Sequence, residues 1–192
     1  MPAFAAATDL NGDGKLDLIV VNGENPGSYI TMLGNGDGTF QAASAPAALG
    51  TYPMQPILAD LNGDGKIDMV LQMNSPTNNL YVLLGNGDGT FQAPEIFSLA
   101  DGPGYVLGGA VIADFNGDGA LDIAAPYGCC QIGVVGIGML YGTGHGTFTQ
   151  GPAIGVVPGM IVGGDFNGDG KTDILFGDAY SNMVSALLDV SR

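Results

Sequence analysis

Four nine-residue segments carry oxygen-bearing side chains at the same offsets. They are Asp9, Asn11, Asp13 and Asp17; Asp60, Asn62, Asp64 and Asp68; Asp114, Asn116, Asp118 and Asp122; and Asp165, Asn167, Asp169 and Asp173. Acidic or amide oxygens on alternate residues of a tight loop can all turn inward, which suits a hard cation. Ca²⁺ takes about six to eight oxygen ligands, several of them carboxylates. Position seven varies as Lys15, Lys66, Ala120 and Lys171, as expected where only its backbone carbonyl binds. Gly14, Gly65, Gly119 and Gly170 at position six permit the reversal between ligands. One Ca²⁺ per loop, four per chain, is the expected cofactor complement.

An EF-hand opens the same way, but it needs a bidentate Glu at position twelve and a helix on each side. Position twelve here is Val20, Leu71, Ala125 and Phe176, and the flanks read as strands. Mg²⁺ suits the loops less, because it keeps its waters and takes few protein ligands. One Asp-Asn-Gly loop could be no more than a good turn. Four intact copies argue for metal, and so does charge: the loops hold 12 of the 19 acidic residues in a chain of formal charge −15. Three carboxylates in one small loop repel each other without a counter-ion. Chelation is therefore expected to destabilise the fold.

The elements that must position these loops follow from the repetition. Successive loops begin 51, 54 and 51 residues apart, and a second motif follows each of the first three: Leu33 to Phe40 (LGNGDGTF), Leu84 to Phe91, and Tyr141 to Phe148. Between them lie short apolar segments bounded by Gly, Asn and Asp, in the first repeat Phe4–Thr8, Leu16–Asn22, Tyr29–Gly34 and Thr39–Ala43. Segments of that kind predict strands, and no sustained 3.6-residue period predicts a helix. Asn35-Gly36-Asp37-Gly38 is hairpin-turn chemistry. Four strands in about fifty residues make one antiparallel blade of a β-propeller. The expected fold is all-β, about 3.75 blades in a single domain, with blades near 3–53, 54–106, 107–158 and 159–192. Val106–Ala113 and Met160–Gly164, apolar and rich in small residues, suit innermost strands. A calcium-nonapeptide solenoid would repeat far more often.

Composition agrees with such a fold. The chain has 192 residues, 46% of them hydrophobic, with 34 Gly and 11 Pro, too apolar for disorder and too rich in breakers for helices. Its four basic residues, Lys15, Lys66, Lys171 and Arg192, are scattered, which argues against a nucleic-acid or anionic-membrane partner. No apolar run reaches the length of a membrane helix, and Met1-Pro2-Ala3-Phe4 does not open a signal peptide.

Alternation of the D-x-N-x-D-G-x-x-D loop with LGNGDGTF over nearly the whole chain closely resembles the FG-GAP and VCBS repeats, which build the propeller of integrin α subunits. The resemblance implies that each calcium loop joins the first two strands of a blade. It also implies that recognition loops lie on the opposite face, here Asn22–Ser28, Ala45–Gln55, Asn74–Asn79, Ser98–Gly108, Tyr127–Gly136 and Pro152–Gly159, with Tyr52, Tyr105 and Tyr127 as contact surface. An extracellular, cell-surface or periplasmic module for protein recognition, adhesion or scaffolding is what the family suggests. The alternatives are a lectin-like carbohydrate-binding module, which the lack of Trp weakens, and a non-catalytic accessory domain of a secreted enzyme. The fourth repeat stops at Leu187–Arg192 without its hairpin, so the chain is expected to be part of a longer propeller, or half of a ring of seven or eight blades closed as a homodimer.

The remaining reactive residues form no catalytic set. His145, the single histidine, replaces Asp in the third hairpin and reads as a turn residue. Cys129 and Cys130 read as separate thiols, with a strained adjacent disulfide as the alternative, and too few in number for a zinc site. Asp101 and Asp178 lie outside the motifs. They read as exposed loop acids rather than as a glycosidase pair. The chain is therefore not expected to be an enzyme.

Overall fold

A computed structural model describes residues 2–74, 79–99, 109–128, 135–156, 158–178 and 183–188. The described residues form four antiparallel sheets, each built from consecutive strands, with no helix among them. Sheet I contains β1 (Pro2–Thr8), β2 (Asp17–Asn22), β3 (Ser28–Met32) and β4 (Ala47–Ala48). Sheet II contains β5 (Ile57–Ala59), β6 (Asp68–Gln72), β7 (Asn79–Leu83) and β8 (Glu95–Ser98). Sheet III contains β9 (Val111–Ala113), β10 (Asp122–Gly128), β11 (Val135–Gly142) and β12 (Phe148–Gln150). Sheet IV contains β13 (Pro158–Gly164), β14 (Asp173–Asp178) and β15 (Val184–Leu187). These are blade-like units of propeller type in an unclosed array.

The sheets stack face to face, and each interface is a separate apolar cluster. Ile19, Val21 and Tyr29 of sheet I meet Met69, Leu71 and Leu83 of sheet II. Val70, Leu80 and Val82 of sheet II meet Ile123, Ala125 and Leu140 of sheet III. Ala124, Ile137 and Met139 of sheet III meet Ile161, Ile174 and Phe176 of sheet IV. Each fully buried Leu, Ile or Met contributes about 1.5–3 kcal/mol. Alternate residues of a strand point to opposite faces, so the burial pattern reports how many faces are covered. All five residues of β6 are buried, because sheet II has a neighbour on each side. In β2 burial alternates, because sheet I has a neighbour on one side.

Three of the four strands expected in the first repeat form within two residues of the expected bounds, and the fourth differs. At Phe40 there is a single bridge to Gly34, and regular pairing resumes only at Ala47–Ala48. In between, the Gln41 and Ser44 amides bond to the carbonyls of Leu33 and Thr31, while the Thr31 amide turns to the Ser44 hydroxyl oxygen. The interrupted ladder bulges, and Pro46, lacking an N–H, cannot restore it. Of the two segments expected to be innermost, Met160–Gly164 lies within the edge strand β13, with Met160 and Val162 exposed. Of Val106–Ala113, the stretch Val111–Ala113 is the edge strand β9 and residues 106–108 lie outside the described residues.

Candidate functional site

Antiparallel order places the turn after the first strand of every sheet, and the turn after the third strand of sheets I–III, at the same end. The four Asp-rich loops and the Gly-rich hairpins therefore share one rim. Each loop is folded around its first Asp. Asp9 Oδ1 accepts the Gly12 and Asp13 amides at 2.8 and 3.2 Å, and Oδ2 accepts the Gly14 amide at 2.8 Å. Asp60, Asp114 and Asp165 hold their loops in the same way. Asn11 and Asp13 each accept the amide two residues on, both at 3.0 Å. These are Asx turns, which explains why Asp and Asn alternate here.

The amides lower carboxylate pKa values by favouring the charged form. The Gly14 amide chiefly holds Asp9 below the usual range, and the Gly170 amide does so for Asp165. For Asp13 and Asp64 the leading cause is the amide of Lys15 and Lys66 respectively, and the lysine side chains add to it. Lys15 Nζ lies 3.3 Å from Asp13 Oδ2 and Lys66 Nζ 3.1 Å from Asp64 Oδ2. These exposed pairs contribute little to stability.

The ninth position plays a second role that the repeat pattern alone does not disclose. Asp17, Asp68, Asp122 and Asp173 are fully buried. Asp17 Oδ2 accepts the Leu10 amide at 2.9 Å, and Oδ1 accepts the Gly34 amide at 2.8 Å. Asp68 bonds Leu61 and Gly85 in the same way, and Asp122 bonds Phe115 and Gly142. One carboxylate thus ties the Asp-rich loop to the end of the third strand. The glycine it reaches has no room for a side chain: a Cβ on Gly34, Gly85 or Gly142 would stand 2.1, 2.2 or 2.2 Å from the carbonyl oxygen of Leu16, Ile67 or Leu121. Burial pushes Asp68 and Asp122 up, against the pull of the two amides each accepts. The charges of Asp60 and Asp64 raise Asp68 further, and that of Asp118 raises Asp122.

Among the described residues, no three Asp, Glu, His or Cys side chains converge as they would around a metal ion. The first and fifth carboxylates turn to loop amides instead, and Asn116 and Asn167 each donate an amide N–H to the following Asp at 3.0 Å. The donor chemistry still fits a hard cation, with three carboxylates, one of them buried, and an amide oxygen per loop.

The opposite rim carries Tyr52, 46% exposed and in the left-handed region at φ 51°. Its amide donates to the Glu24 carbonyl, and its carbonyl accepts the Asn74 amide, both at 3.0 Å. Tyr127 instead packs half-buried against the cluster between sheets II and III, which makes its ring structural. Tyr105, Asp101, Cys129 and Cys130 lie outside the described residues, as does the side chain of Asp178 at the end of β14. His145 is exposed between Gly144 and Gly146, both at positive φ. A polar link that the sequence does not announce joins sheets II and III: buried Gln72 donates its side-chain amide to the Pro126 carbonyl.

Comparison with known proteins locates the repeat independently. The family model described as an FG-GAP-like repeat matches residues 9–71 and 60–125, together more than half of the chain. Mouse and human cartilage acidic protein 1 are each 27% identical over 131 residues, 64% of this chain. The aligned part spans 20% of the length of those relatives.

Proposed function

Because the chain belongs to the FG-GAP-like repeat family, we propose that it is a calcium-binding module of extracellular recognition, adhesion or scaffolding, not an enzyme. The observation that carries this reading is the fourfold loop, with a buried carboxylate held at one end and exposed Asp and Asn oxygens on the other side. In the first loop Asp9, Asn11, Asp13, the carbonyl of Lys15 and Asp17 would hold one Ca²⁺. The equivalent ligands are Asp60, Asn62, Asp64, Lys66 and Asp68; Asp114, Asn116, Asp118, Ala120 and Asp122; and Asp165, Asn167, Asp169, Lys171 and Asp173. The ion would offset the repulsion among the three carboxylates of each loop and so stiffen the rim. An extracellular setting is supported by the family and by the similarity to cartilage acidic protein 1. It is also the setting in which sites of about 10⁻⁴–10⁻³ M affinity fill.

Thermal unfolding in chelator and in millimolar calcium tests the reading. Each site held at ten times its Kd adds about 1.4 kcal/mol to stability. For a chain of this size each kcal/mol raises Tm by about 2–4 °C. Calorimetric titration should count four ions, and D64N should remove one. Equal melting temperatures in chelator and in calcium would overturn the assignment.

A further inference from the structure

Two Asn-Gly pairs face each other across one cleft. It lies between sheets I and II, encloses about 390 Å³, and has Asn11 and Gly12 on one wall and Asn86 and Gly87 on the other. Both pairs therefore meet the same water. Asn before Gly is prone to lose its side-chain ammonia, because glycine has no side chain to shield the main-chain nitrogen that attacks the Asn carbonyl. The pair recurs in the other Asp-rich loops, at Asn62, Asn116 and Asn167, and in the first hairpin, at Asn35. A further pair, Asn22-Gly23, ends β2 with Gly23 packed against Ala3.

What separates the pairs is the hydrogen bond that the glycine makes. In the loops it is committed: the Gly12, Gly63, Gly117 and Gly168 amides donate to Oδ1 of Asp9, Asp60, Asp114 and Asp165 at 2.7–2.8 Å. A carboxylate acceptor makes these bonds short and strong. The Asn side chain is pinned as well, its Oδ1 accepting the amide two residues on at 2.9–3.0 Å. In the second hairpin the Gly87 amide meets no acceptor among the described residues. Asn86 is exposed there, with its amide on the Thr90 carbonyl at 2.9 Å and its Nδ2 on Thr90 Oγ1 at 2.8 Å. Asn35 makes the same two bonds to Thr39 in the first hairpin.

We propose that Asn86 is a site of spontaneous covalent modification, converting to aspartate and isoaspartate while the Asn residues of the Asp-rich loops stay intact. The Gly87 nitrogen attacks the Asn86 side-chain carbonyl carbon, and a cyclic imide forms. The bond to Nδ2 breaks, and Nδ2 leaves as ammonia with the proton given up by the Gly87 amide. Water then opens the imide at either carbonyl. One product is aspartate, and the other is isoaspartate, in which the main chain runs through the former side chain. Only the Thr90 bond must open beforehand, and it lies at the exposed rim. Asn35 is a second such site by the same bonds. The third hairpin is immune, because Thr143 stands in the place of Asn, and its Oγ1 meets Thr147 Oγ1 at 2.7 Å without an amide to lose.

The change reaches the buried tie of sheet II. Gly85, next to Asn86 in the chain, donates its amide to Asp68 Oδ1 at 2.8 Å. Aspartate at position 86 has no N–H for Thr90, and it adds a second carboxylate to a hairpin that already carries Asp88. Isoaspartate lengthens the main chain between Gly85 and Thr90, so the two Asn86–Thr90 bonds no longer match. The hairpin therefore loosens beside the Asp68 tie as the chain ages. The proposal does not depend on calcium occupancy.

Peptide mapping by mass spectrometry, with an isoaspartate assay, reads the conversion of the full chain aged in warm, mildly alkaline buffer with chelator. Asn86 and Asn35 should convert about 10-fold or more faster than Asn11, Asn62, Asn116 and Asn167, because only the latter must first break a bond to a charged acceptor. In urea, which removes these bonds, all six should convert at similar rates. T90V takes away the acceptor of Asn86 Nδ2 and should speed conversion at Asn86 about 3-fold or more, leaving Asn35 unchanged, with circular dichroism confirming the fold. T143N, which installs the same pair in the third hairpin, should add a site there. Asn86 left intact in the folded chain after the unfolded chain has converted would overturn the proposal. So would Asn11, across the same cleft, converting as fast as Asn86 in the folded chain, or a T90V chain in which Asn86 is slowed.

Discussion

At the scale of single residues, the glycines of the repeat divide into two kinds. Gly85 lies against the Ile67 carbonyl, so G85A must push backbone apart and should cost at least about 3 kcal/mol. Gly65 sits at φ +80° with open space around it, so G65A should cost only about 1–2 kcal/mol of left-handed strain. Urea unfolding of the two variants side by side checks the ordering. Asp37 and Asp88 give a pH prediction. The hydroxyl, then the amide, of Thr39 and Thr90 hold these carboxyls low. Each therefore stabilises the fold above about pH 3.9, and that contribution is lost as pH falls through the folded-state value. Removing the hydroxyl in T90A should move the Asp88 carboxyl resonance to a higher titration midpoint. Asp68 and Asp122 have the opposite sign: burial raises them, so their effect on folding becomes unfavourable as pH rises through the raised value. Which Asp would do which task was only partly legible in the sequence. The nine-residue spacing marks all of them as oxygen donors, while the tie from Asp17 to the Gly34 amide spans 17 residues and needs the fold to bring them together.

At the scale of elements, strands one to three of each repeat follow directly from apolar segments bracketed by turn residues. The fourth strand of the first repeat does not, because its pairing is interrupted between Phe40 and Ala47, a break of which the local sequence marks only Pro46. The aromatic that ends each hairpin has a value set by its neighbour, not by its motif. F91A removes a ring packed edge-to-face on Tyr29 and should cost about 2 kcal/mol or more. The same change at Phe40, which is 40% exposed, should leave stability within about 0.5 kcal/mol. Denaturant midpoints of the two variants check the difference.

At the scale of the molecule, the blade count and all-β class are visible from the period alone, whereas the inequality of the blades is not. Leu10 and Phe166 are equivalent in sequence, yet one is 5% and the other 49% exposed. Stacked repeats derive stability from each neighbouring interface, so the ends should open first. Hydrogen exchange should show β6 as most protected and β13–β15 as least. Consecutive strands also give the stack a direction in time. Every sheet is made from one continuous stretch of chain, so each can pair its strands soon after synthesis. Its inward face must nevertheless wait for the next: Ile19 and Val21 have no cover until Met69 and Leu71 have been made. At roughly 5–20 residues per second, a lag of about fifty residues leaves each nascent apolar face bare for about 3–10 s. During that interval, one repeat after another, the growing chain exposes a sticky surface to the ribosome's surroundings.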